Sequence, residues 1–316
     1  MKVLCGDIGG THSRLALARA EGRQVALDRV ERYRNAEFPD LAAILADFLG
    51  AGAADLACCL AVAGPTDGRR VRLTNLDWAL DARTLADRFG FARCRLVNDF
   101  AAVGWGLAAL GQQDLACLQP GAPQAGAPRV ALGAGTGLGV SLVAWHGDHY
   151  QPLPSEGGHV GFAPASPAQD RLLGFLRGRY GRASVERILS GPGLEDLYRF
   201  ARLERGLPPR DLAAQAVSQA GLADSDPAAR TALDLFVAVY GQTAGDLALA
   251  ARAQGGVYLA GGIAPKLLAA LADGAFLAGF QAKGRFSEWM RQVPVHVVLD
   301  PDVGLKGAAL AALAPD

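Results

Sequence analysis

The sequence predicts an α/β protein of two domains, each built around its own sheet. Its 316 residues are more than one hydrophobic core usually supports. Continuous apolar runs such as D-L-A-C-C-L-A-V-A at 55–63 end at glycines, and such runs are typical of strands buried on both faces of a parallel sheet. There is also an internal repeat: G-D-I-G-G-T-H-S-R-L-A-L at 6–17 resembles L-G-A-G-T-G-L-G-V-S-L-V at 132–143. With Gly9 placed on Gly135, the offset is 126 residues (135 − 9), about one domain.

The first half of the chain alternates strand and helix signals. Strands are predicted where apolar residues alternate or run continuously, and helices where they recur every three or four positions. The predicted strands are 2–8, 11–18, 55–63 and 93–97, and the predicted helices are 39–50, 81–90 and 99–110.

The second half is mainly helical. The stretch Q-P-G-A-P-Q-A-G-A-P at 119–128 is rich in Pro and Gly and is predicted to be a loop and a domain junction. The strands predicted after it are 129–133, 139–145 and 256–260, and the helices are 167–180, 184–190, 192–205, 209–221, 228–253 and 303–314.

Composition excludes several classes of protein. Lys+Arg and Asp+Glu number 31 each, which argues against binding nucleic acid through a basic face. The five cysteines form no C-x-x-C pair, so neither a structural zinc site nor a disulfide framework is expected. Asp7 comes too early for the apolar region of a signal peptide, and no run is long enough to span a membrane. We expect a reduced, soluble, cytoplasmic protein.

The two glycine turns of the repeat are suited to phosphate. Glycines let backbone N–H groups approach an anion closely, and the neighbouring threonine adds a hydroxyl donor. Either loop alone is better explained as a tight hairpin. Two matching loops, with Gly261-Gly262 after a third strand, favour a nucleotide site. There is no G-x-x-x-x-G-K-S/T motif, and the G-x-G-x-x-A at 104–109 lies in a helical pattern, so neither a P-loop nor a dinucleotide fingerprint is indicated.

Polar residues near these turns have two interpretations each. Asp7 either bonds the amides of its own turn or orients a magnesium ion through water. Glu156 and His159, in L-P-S-E-G-G-H-V, are too few for a closed zinc site and fit either a solvated loop or a site for the hydroxyls of a polyol. Glu186 stands in the first turn of a predicted helix, where a favourable interaction with the helix dipole explains it without any ligand.

The dipeptide Asn98-Asp99 lies between two apolar runs, L-V at 96–97 and F-A-A-V at 100–103. An ionised carboxylate is not buried without compensation, so Asp99 is either a helix cap or a base that accepts a proton. The two roles are compatible, because the end of a strand and the start of a helix is where α/β sheets present residues to a crevice.

Six motifs together resemble one family. On these motifs the sequence closely resembles bacterial glucokinases of the hexokinase-like, actin/Hsp70-type ATPase superfamily, over nearly the whole chain. The motifs are G-D-I-G-G-T (6–11), L-V-N-D-F-A-A (96–102), G-A-G-T-G-L-G (133–139), P-S-E-G-G-H (154–159), G-V-Y-L-A-G-G-I (256–263) and K-G-R-F (283–286).

The resemblance implies a fold and an assembly. The fold is the two-domain, actin-like (ribonuclease H-like) ATPase fold, with a cleft between a small α/β domain and a larger α+β domain. The small domain would comprise 1–110 plus 301–316 and the large domain 111–300. The family is usually a homodimer, so a homodimer is expected.

The resemblance also implies a reaction, the ATP- and Mg²⁺-dependent phosphorylation of D-glucose to glucose 6-phosphate. Asp99 would be the general base, and Asn98, Glu156, His159 and Glu186 would bind the sugar hydroxyls. Asp7 would hold Mg²⁺ indirectly, through water. The residues implied to bind ATP are Gly6, Asp7, Ile8, Gly9, Gly10, Thr11, Gly135, Thr136, Gly137, Gly261, Gly262 and Ile263.

The sequence departs from the family pattern at His12, where Asn is common beside the phosphate loop. It also lacks the cysteine-rich zinc motif of the related ROK sugar kinases and a preceding helix-turn-helix, which indicates the non-ROK branch. Two alternatives remain open at this stage: a kinase for another hexose, and a non-catalytic sensor of sugar or nucleotide on the same fold.

Overall fold

The chain divides into two compact α/β units. The computed structural model describes residues 1–50, 55–64, 66–73 and 76–315. The first unit comprises Met1–Asp114, Asp148–Pro154 and Asp300–Asp316, and the second comprises Leu115–Gly147 and Ser155–Leu299. No helix within the described ranges is both long and apolar enough to cross a membrane.

The first unit contains a five-stranded sheet with helices on both faces. Its elements from the N-terminus are β1 (Lys2–Ile8), β2 (His12–Glu21), β3 (Gln24–Arg34), α1 (Leu41–Leu49), β4 (Ala57–Val62), β5 (Arg70–Arg72), β6 (Ala79–Asp81), α2 (Ala82–Phe89), β7 (Arg93–Asn98) and α3 (Asp99–Gly106). The sheet order is β3-β2-β1-β4-β7, and β5 and β6 form a separate hairpin.

The second unit contains a larger sheet and most of the helices. Its elements are β8 (Leu115–Gln119), β9 (Arg129–Ala134), β10 (Leu138–Trp145), α4 (Pro167–Tyr180), α5 (Gly191–Glu204), α6 (Ala214–Leu222), α7 (Pro227–Ala251), β12 (Val257–Ala260), α8 (Leu268–Ala272), α9 (Ala275–Gln281), α10 (Ser287–Arg291) and β13 (Val295–Val298). The strand β11 (Tyr150–Ser155) belongs to the first unit except for its last residue, Ser155. Within the unit the strands follow the order β10-β9-β12-β13-β8. The chain then returns to the first unit as α11 (Val303–Leu313).

Alternation along β1 and β4 explains why the first sheet is covered on both faces. Leu4 and Ile8 of β1 pack into a core beside α1 and α2, whereas Val3 and Cys5 pack against alanines of α11. Successive side chains of a strand point to opposite faces, so a continuous apolar run supplies both cores. The prediction of a strand buried on both faces is confirmed.

Local signals fix the helix ends. The side chain of Asp40 accepts from the amide of Ala43 at the start of α1. Asp226 likewise caps α7 ahead of Pro227, and Gly90 ends α2 in the left-handed conformation. Such residues satisfy the backbone groups that helix termini leave unpaired.

The internal repeat recognised in the sequence is a repeat of structure. β1 and β2 are antiparallel around Gly9–Thr11, and β9 and β10 are antiparallel around Gly135–Gly137. In each unit the first strand of the hairpin then pairs in parallel with a later strand, β4 or β12, which pairs in parallel with β7 or β13.

The structure differs from the sequence expectation at several places. The helix predicted at 184–190 is only a 3₁₀ turn at Val185–Arg187, because Val160 and Phe162 of the preceding loop bond to the backbone at Val185 and Ala183. The elements that were not predicted are the strands β3, β5, β6, β8, β11 and β13 and the short helices α8, α9 and α10. The strand β3 is largely exposed and β13 has four residues, so neither gives a strong pattern. The loop at 120–128 is present, but the units divide at 114/115 and residues 148–154 belong to the first unit. There the ring of His149 stacks on Trp105 of α3 at 6.4 Å.

Candidate active site

The first glycine hairpin is held by a buried asparagine. The amide of Gly9 donates to the His12 carbonyl at 3.0 Å, which closes the turn between β1 and β2. The side chain of Asn35, at the end of β3, donates to the Gly9 carbonyl at 2.8 Å and accepts from the hydroxyl of Ser13 at 2.8 Å. The backbone amide of Asn35 donates to the carbonyl of Thr11 at 3.0 Å. Carbonyls of the turn are thus engaged with protein.

The predicted residues of β1 do not all lie at the turn. Gly6 is inside the strand, where an added Cβ would stand 2.8 Å from the side chains of Leu15 and Leu60. Glycine is required there for packing. The side chain of Ile8 is buried in the core beside α1. Gly9, Gly10 and Thr11 form the turn itself and are accessible.

Asp7 is opposite Arg14 in the β1–β2 ladder. Desolvation by the surrounding protein raises the pKa of Asp7, and the nearby positive charge of Arg14 opposes that shift. The residue as a whole is partly accessible. Arg14 also pairs with Asp302. A cation beside Asp7 would favour its ionised form.

Asn98 and Asp99 stand at the junction of β7 and α3. Asn98 is the N-cap of α3: its side-chain oxygen accepts from the amides of Phe100 at 3.0 Å and Ala101 at 3.1 Å. Its side-chain nitrogen donates to the Gly64 carbonyl at 3.4 Å. Asp99 is the first residue of the helix, is partly exposed, and accepts from the amide of Phe100 at 2.8 Å.

The second glycine hairpin is tied to two neighbouring elements. The amide of Gly135 donates to the Gly137 carbonyl, and the amide of Gly191 at the start of α5 donates to the Gly135 carbonyl, both at 2.8 Å. Gly261 follows β12 with a φ of +79°, and a Cβ there would lie 2.8 Å from the Ala134 carbonyl oxygen. Only glycine suits both the conformation and the close approach.

A cavity of about 390 Å³ opens beside this hairpin, within the second unit. Four of the residues predicted to bind ATP line it: Gly135, Thr136, Gly262 and Ile263. Its other walls, which the sequence did not indicate, come from α5, α6 and the turn after β12: Gly191, Pro192, Leu194, Glu195, Ala214, Gln215, Ser218, Lys266 and Leu267. Glu195 also accepts from the amide of Ala214 at 3.2 Å, which stabilises the start of α6.

Glu156, His159 and Glu186 lie together in the second unit. The imidazole of His159 stands between the two carboxylates, with Nε2 3.8 Å from Glu156 and Nδ1 3.7 Å from Glu186. These separations exceed hydrogen-bonding distance. The side chains of Glu156 and His159 are 61% and 57% exposed and that of Glu186 is 28% exposed, so a ligand can reach all three. Arg182 fixes the loop by donating to the His159 carbonyl at 2.7 Å.

The residues available for a metal fit magnesium carried by a nucleotide. Among the described residues no group of three or more His, Cys, Asp or Glu side chains is arranged to hold a metal ion. Mg²⁺ keeps several waters and is usually held by one or two carboxylates together with substrate phosphates. Asp7, a partly accessible residue beside a glycine hairpin, carries one carboxylate of the kind that could hold such an ion through water.

Three features match one class of protein, the kinases that phosphorylate a polyol. They are the two glycine hairpins suited to phosphate, the acidic residue at a strand-to-helix junction, and the cluster of carboxylates and imidazole suited to hydroxyls. Comparison with known proteins narrows this class. The sequence profile of the glucokinase family matches residues 4–315. A glucokinase of Nostoc punctiforme is 39% identical, with 98% of both chains covered.

Solved structures of glucokinases and of a related hexokinase are also similar to this chain. The crystal structure of a glucokinase from an Antarctic psychrotroph has 30% identity and a TM-score of 0.88, with 98% of each chain covered. A ROK hexokinase from Thermus thermophilus shares the fold at 22% identity, with a TM-score of 0.69 over 98% of this chain and 97% of that one. The chain belongs to the glucokinase family and is an enzyme of that family.

Proposed function

We propose that this enzyme transfers the γ-phosphoryl group of ATP to the 6-hydroxyl of D-glucose, with Asp99 as the general base. Phosphoryl transfer requires mainly positioning and charge stabilisation, together with a carboxylate that accepts the proton of the attacking hydroxyl. The observation that carries the proposal is the arrangement of the β7–α3 junction. Asn98 supplies the N-cap of α3. Asp99 also accepts from the Phe100 amide but remains partly exposed at the end of β7, where a substrate hydroxyl could reach its carboxylate.

The sugar is proposed to bind at Glu156, His159 and Glu186, with Asn98 as a further ligand. Carboxylates accept hydrogen bonds from hydroxyls, and imidazole can donate or accept. The distances of 3.7 and 3.8 Å within the cluster support this, because groups not bonded to each other keep their capacity for hydroxyls. The amide oxygen of Asn98 already accepts two bonds, so its amide nitrogen is the atom proposed to meet the sugar.

ATP is proposed to be held by the two glycine hairpins and the turn after β12. The 390 Å³ cavity beside Gly135, Thr136, Gly262 and Ile263 supports a place for the nucleoside. Phosphate binding is supported by the backbone amides of Gly10 and Thr11, because the Gly9 amide already donates to the His12 carbonyl. Asp7 would hold Mg²⁺ through water, and the ion supplies neutralisation of phosphate charge when bound.

Three further properties are part of the proposal: the fold type, the location and the oligomeric state. The fold is proposed to be the actin-like, ribonuclease H-like ATPase fold. In each unit a glycine hairpin is followed by two parallel strands, and this repeat supports the assignment. A cytoplasmic location is supported by five cysteines that are all free. A homodimer is supported by exposed leucines at 203, 207 and 222 of the second unit, and light scattering on the purified chain tests it.

Replacement of Asp99 by Asn tests the base. Turnover should fall by about 10²–10⁴-fold, the usual contribution of a general base, while the glucose dissociation constant measured by calorimetry changes little. Asp40→Asn is the matched control, because it makes the same substitution at the cap of α1, where Asn serves as well as Asp. Near-normal turnover in Asp99→Asn would show that another group takes the proton.

The substrate is tested by ADP release over a panel of hexoses with ATP or polyphosphate as donor. Glucose with ATP should give the highest kcat/KM. A faster reaction with mannose, fructose or an N-acetylated hexosamine would reassign the sugar, and sugar binding without any ADP release would indicate a sensor.

A further inference from the structure

One carboxylate in the second unit joins the glycine hairpin to the proposed sugar cluster. Oε2 of Glu186 accepts from the backbone amide of Leu138 at 3.0 Å, and Leu138 is the first residue of β10 after Gly135–Gly137. Oε1 of the same carboxylate faces Nδ1 of His159 at 3.7 Å. The side chain therefore contacts the hairpin with one oxygen and the cluster with the other.

Gly137 leaves the space that this carboxylate occupies. A Cβ at position 137 would lie 2.6 Å from Oε2 of Glu186, well inside van der Waals contact. Its φ is not among the positive values, so the backbone does not demand glycine. The obstructing atom is the far end of a flexible side chain, and an alanine can be accommodated if Glu186 moves away. The absence of a side chain at 137 thus serves the position of Glu186.

The rest of the hairpin is braced independently of Glu186. The amide of Gly191 holds the Gly135 carbonyl at 2.8 Å, and the amide of Gly135 closes the turn on the Gly137 carbonyl. A Cβ at Gly135 would meet nothing within 4 Å. Gly135 and Gly137 are therefore two residues apart in one turn, but only Gly137 contacts the carboxylate.

We propose that Gly137 is a positioning residue for sugar binding and that the Glu186–Leu138 bond couples sugar binding to binding of the phosphoryl donor. The proposal rests on Glu186 being a sugar ligand, as in the proposed function. A hydroxyl that donates to Glu186 alters how strongly and in which orientation that carboxylate accepts from the Leu138 amide, and this amide belongs to the hairpin proposed to hold phosphate. Coupling of this kind is reciprocal, so each ligand changes the affinity for the other by the same factor.

Gly137→Ala and Gly135→Ala form the test pair, with glucose and a non-hydrolysable ATP analogue titrated separately by calorimetry. Gly137→Ala should raise the glucose dissociation constant by about tenfold or more, the loss of one charge-assisted hydrogen bond, and should weaken glucose more than it weakens the analogue. Gly135→Ala borders the cavity and should weaken the analogue while glucose affinity stays within about twofold. Equal effects of the two variants on glucose, or no effect of Gly137→Ala, would overturn the positioning role.

A double variant tests whether Gly137 acts through Glu186. The losses of glucose affinity in Gly137→Ala and Glu186→Gln should be strongly non-additive when combined, because both disturb one carboxylate. Additive losses would contradict the proposal.

Amide exchange tests the coupling in the unmodified enzyme, and so stands even if Gly137→Ala fails to fold. Saturating glucose should slow exchange at the Leu138 amide, and glucose affinity should change when the analogue is bound. Unchanged exchange together with unchanged affinity would overturn the coupling. If the unmodified enzyme bound no sugar, the proposed function itself would fail, which is a distinct outcome.

Discussion

At the scale of single residues, the polar side chains near the glycine hairpins differ in their hydrogen-bond partners and in their exposure. Asn98 is committed to the amides of α3, whereas Asp99 beside it is partly accessible. Asn35, which no motif indicated, is 1% exposed and bonds Gly9, Thr11 and Ser13. It lies 26 positions from Gly9, and nothing in that spacing predicts the contact.

Asn35→Ala is expected to loosen the first hairpin. Two buried groups, the Gly9 carbonyl and the Ser13 hydroxyl, lose their partner, so the free energy of unfolding should fall by about 2–4 kcal/mol and KM for ATP should rise. Urea denaturation and initial rates measure the two effects. Asn35→Asp retains the acceptor for Ser13 but loses the donor to Gly9, which separates the contributions. A loss below about 1 kcal/mol with unchanged KM would exclude a bracing role.

At the scale of elements, the proposed nucleotide cavity is assembled by helices that follow the hairpin at a distance in sequence. The start of α5 bonds the hairpin through Gly191, and α6 is stabilised by Glu195 of α5. The glycine motifs predicted the hairpin and the turn after β12 that line one side of this cavity. The helices that line its other side carry no recognisable sequence motif. Amphipathic spacing predicts that α5 and α6 exist, and only their packing shows that they line the cavity.

Lys266, in the 3₁₀ turn after β12, brings a positive charge to the cavity. Lys266→Met should raise KM for ATP about three- to tenfold, as expected for a partly exposed charge contact, and should reduce the salt dependence of that KM. The KM for glucose should be unaffected. Lys2→Met makes the same change at an exposed position of β1 and serves as control. Steady-state kinetics at two salt concentrations measure the KM for ATP of both variants. The same KM and the same salt dependence in both would contradict this assignment.

At the scale of the whole molecule, the first unit is completed by the end of the chain. α11 packs on α3 and covers one face of β1 and β4. Its last carbonyls are satisfied by arginines of β7, with Arg95 donating to Ala311 at 3.2 Å and Arg93 to Ala314 at 2.7 Å. A segment more than 200 positions downstream of β7 in sequence is therefore part of the same core.

The close approach of α3 and α11 depends on Gly307. A Cβ there would lie 1.7 Å from the Ala102 carbonyl oxygen, so Gly307→Ala should force the helices apart and cost about 1–3 kcal/mol or more. Gly304→Ala, on the same helix, meets only Val103 at 4.0 Å and should be neutral or stabilising by up to about 1 kcal/mol. Denaturant unfolding of the two variants checks this, and equal stability would show that the helices adapt freely.

The sequence by itself determined the α/β class, the repeat of two glycine hairpins and the family, because these depend on local periodicity and on contiguous motifs. Through the family resemblance it also predicted Glu156, His159 and Glu186 as sugar ligands, whereas local spacing alone gave Glu186 only a place in the first turn of a helix. Tertiary structure decided that this carboxylate meets Leu138 and leaves no room for a side chain at 137. It likewise decided that Asn35 holds the first hairpin. Periodicity and spacing did not place α11 in the first unit, and only the family resemblance led us to expect it there. Such contacts join residues distant in sequence, and a pattern along the chain carries no information about the distance between side chains that only folding brings together.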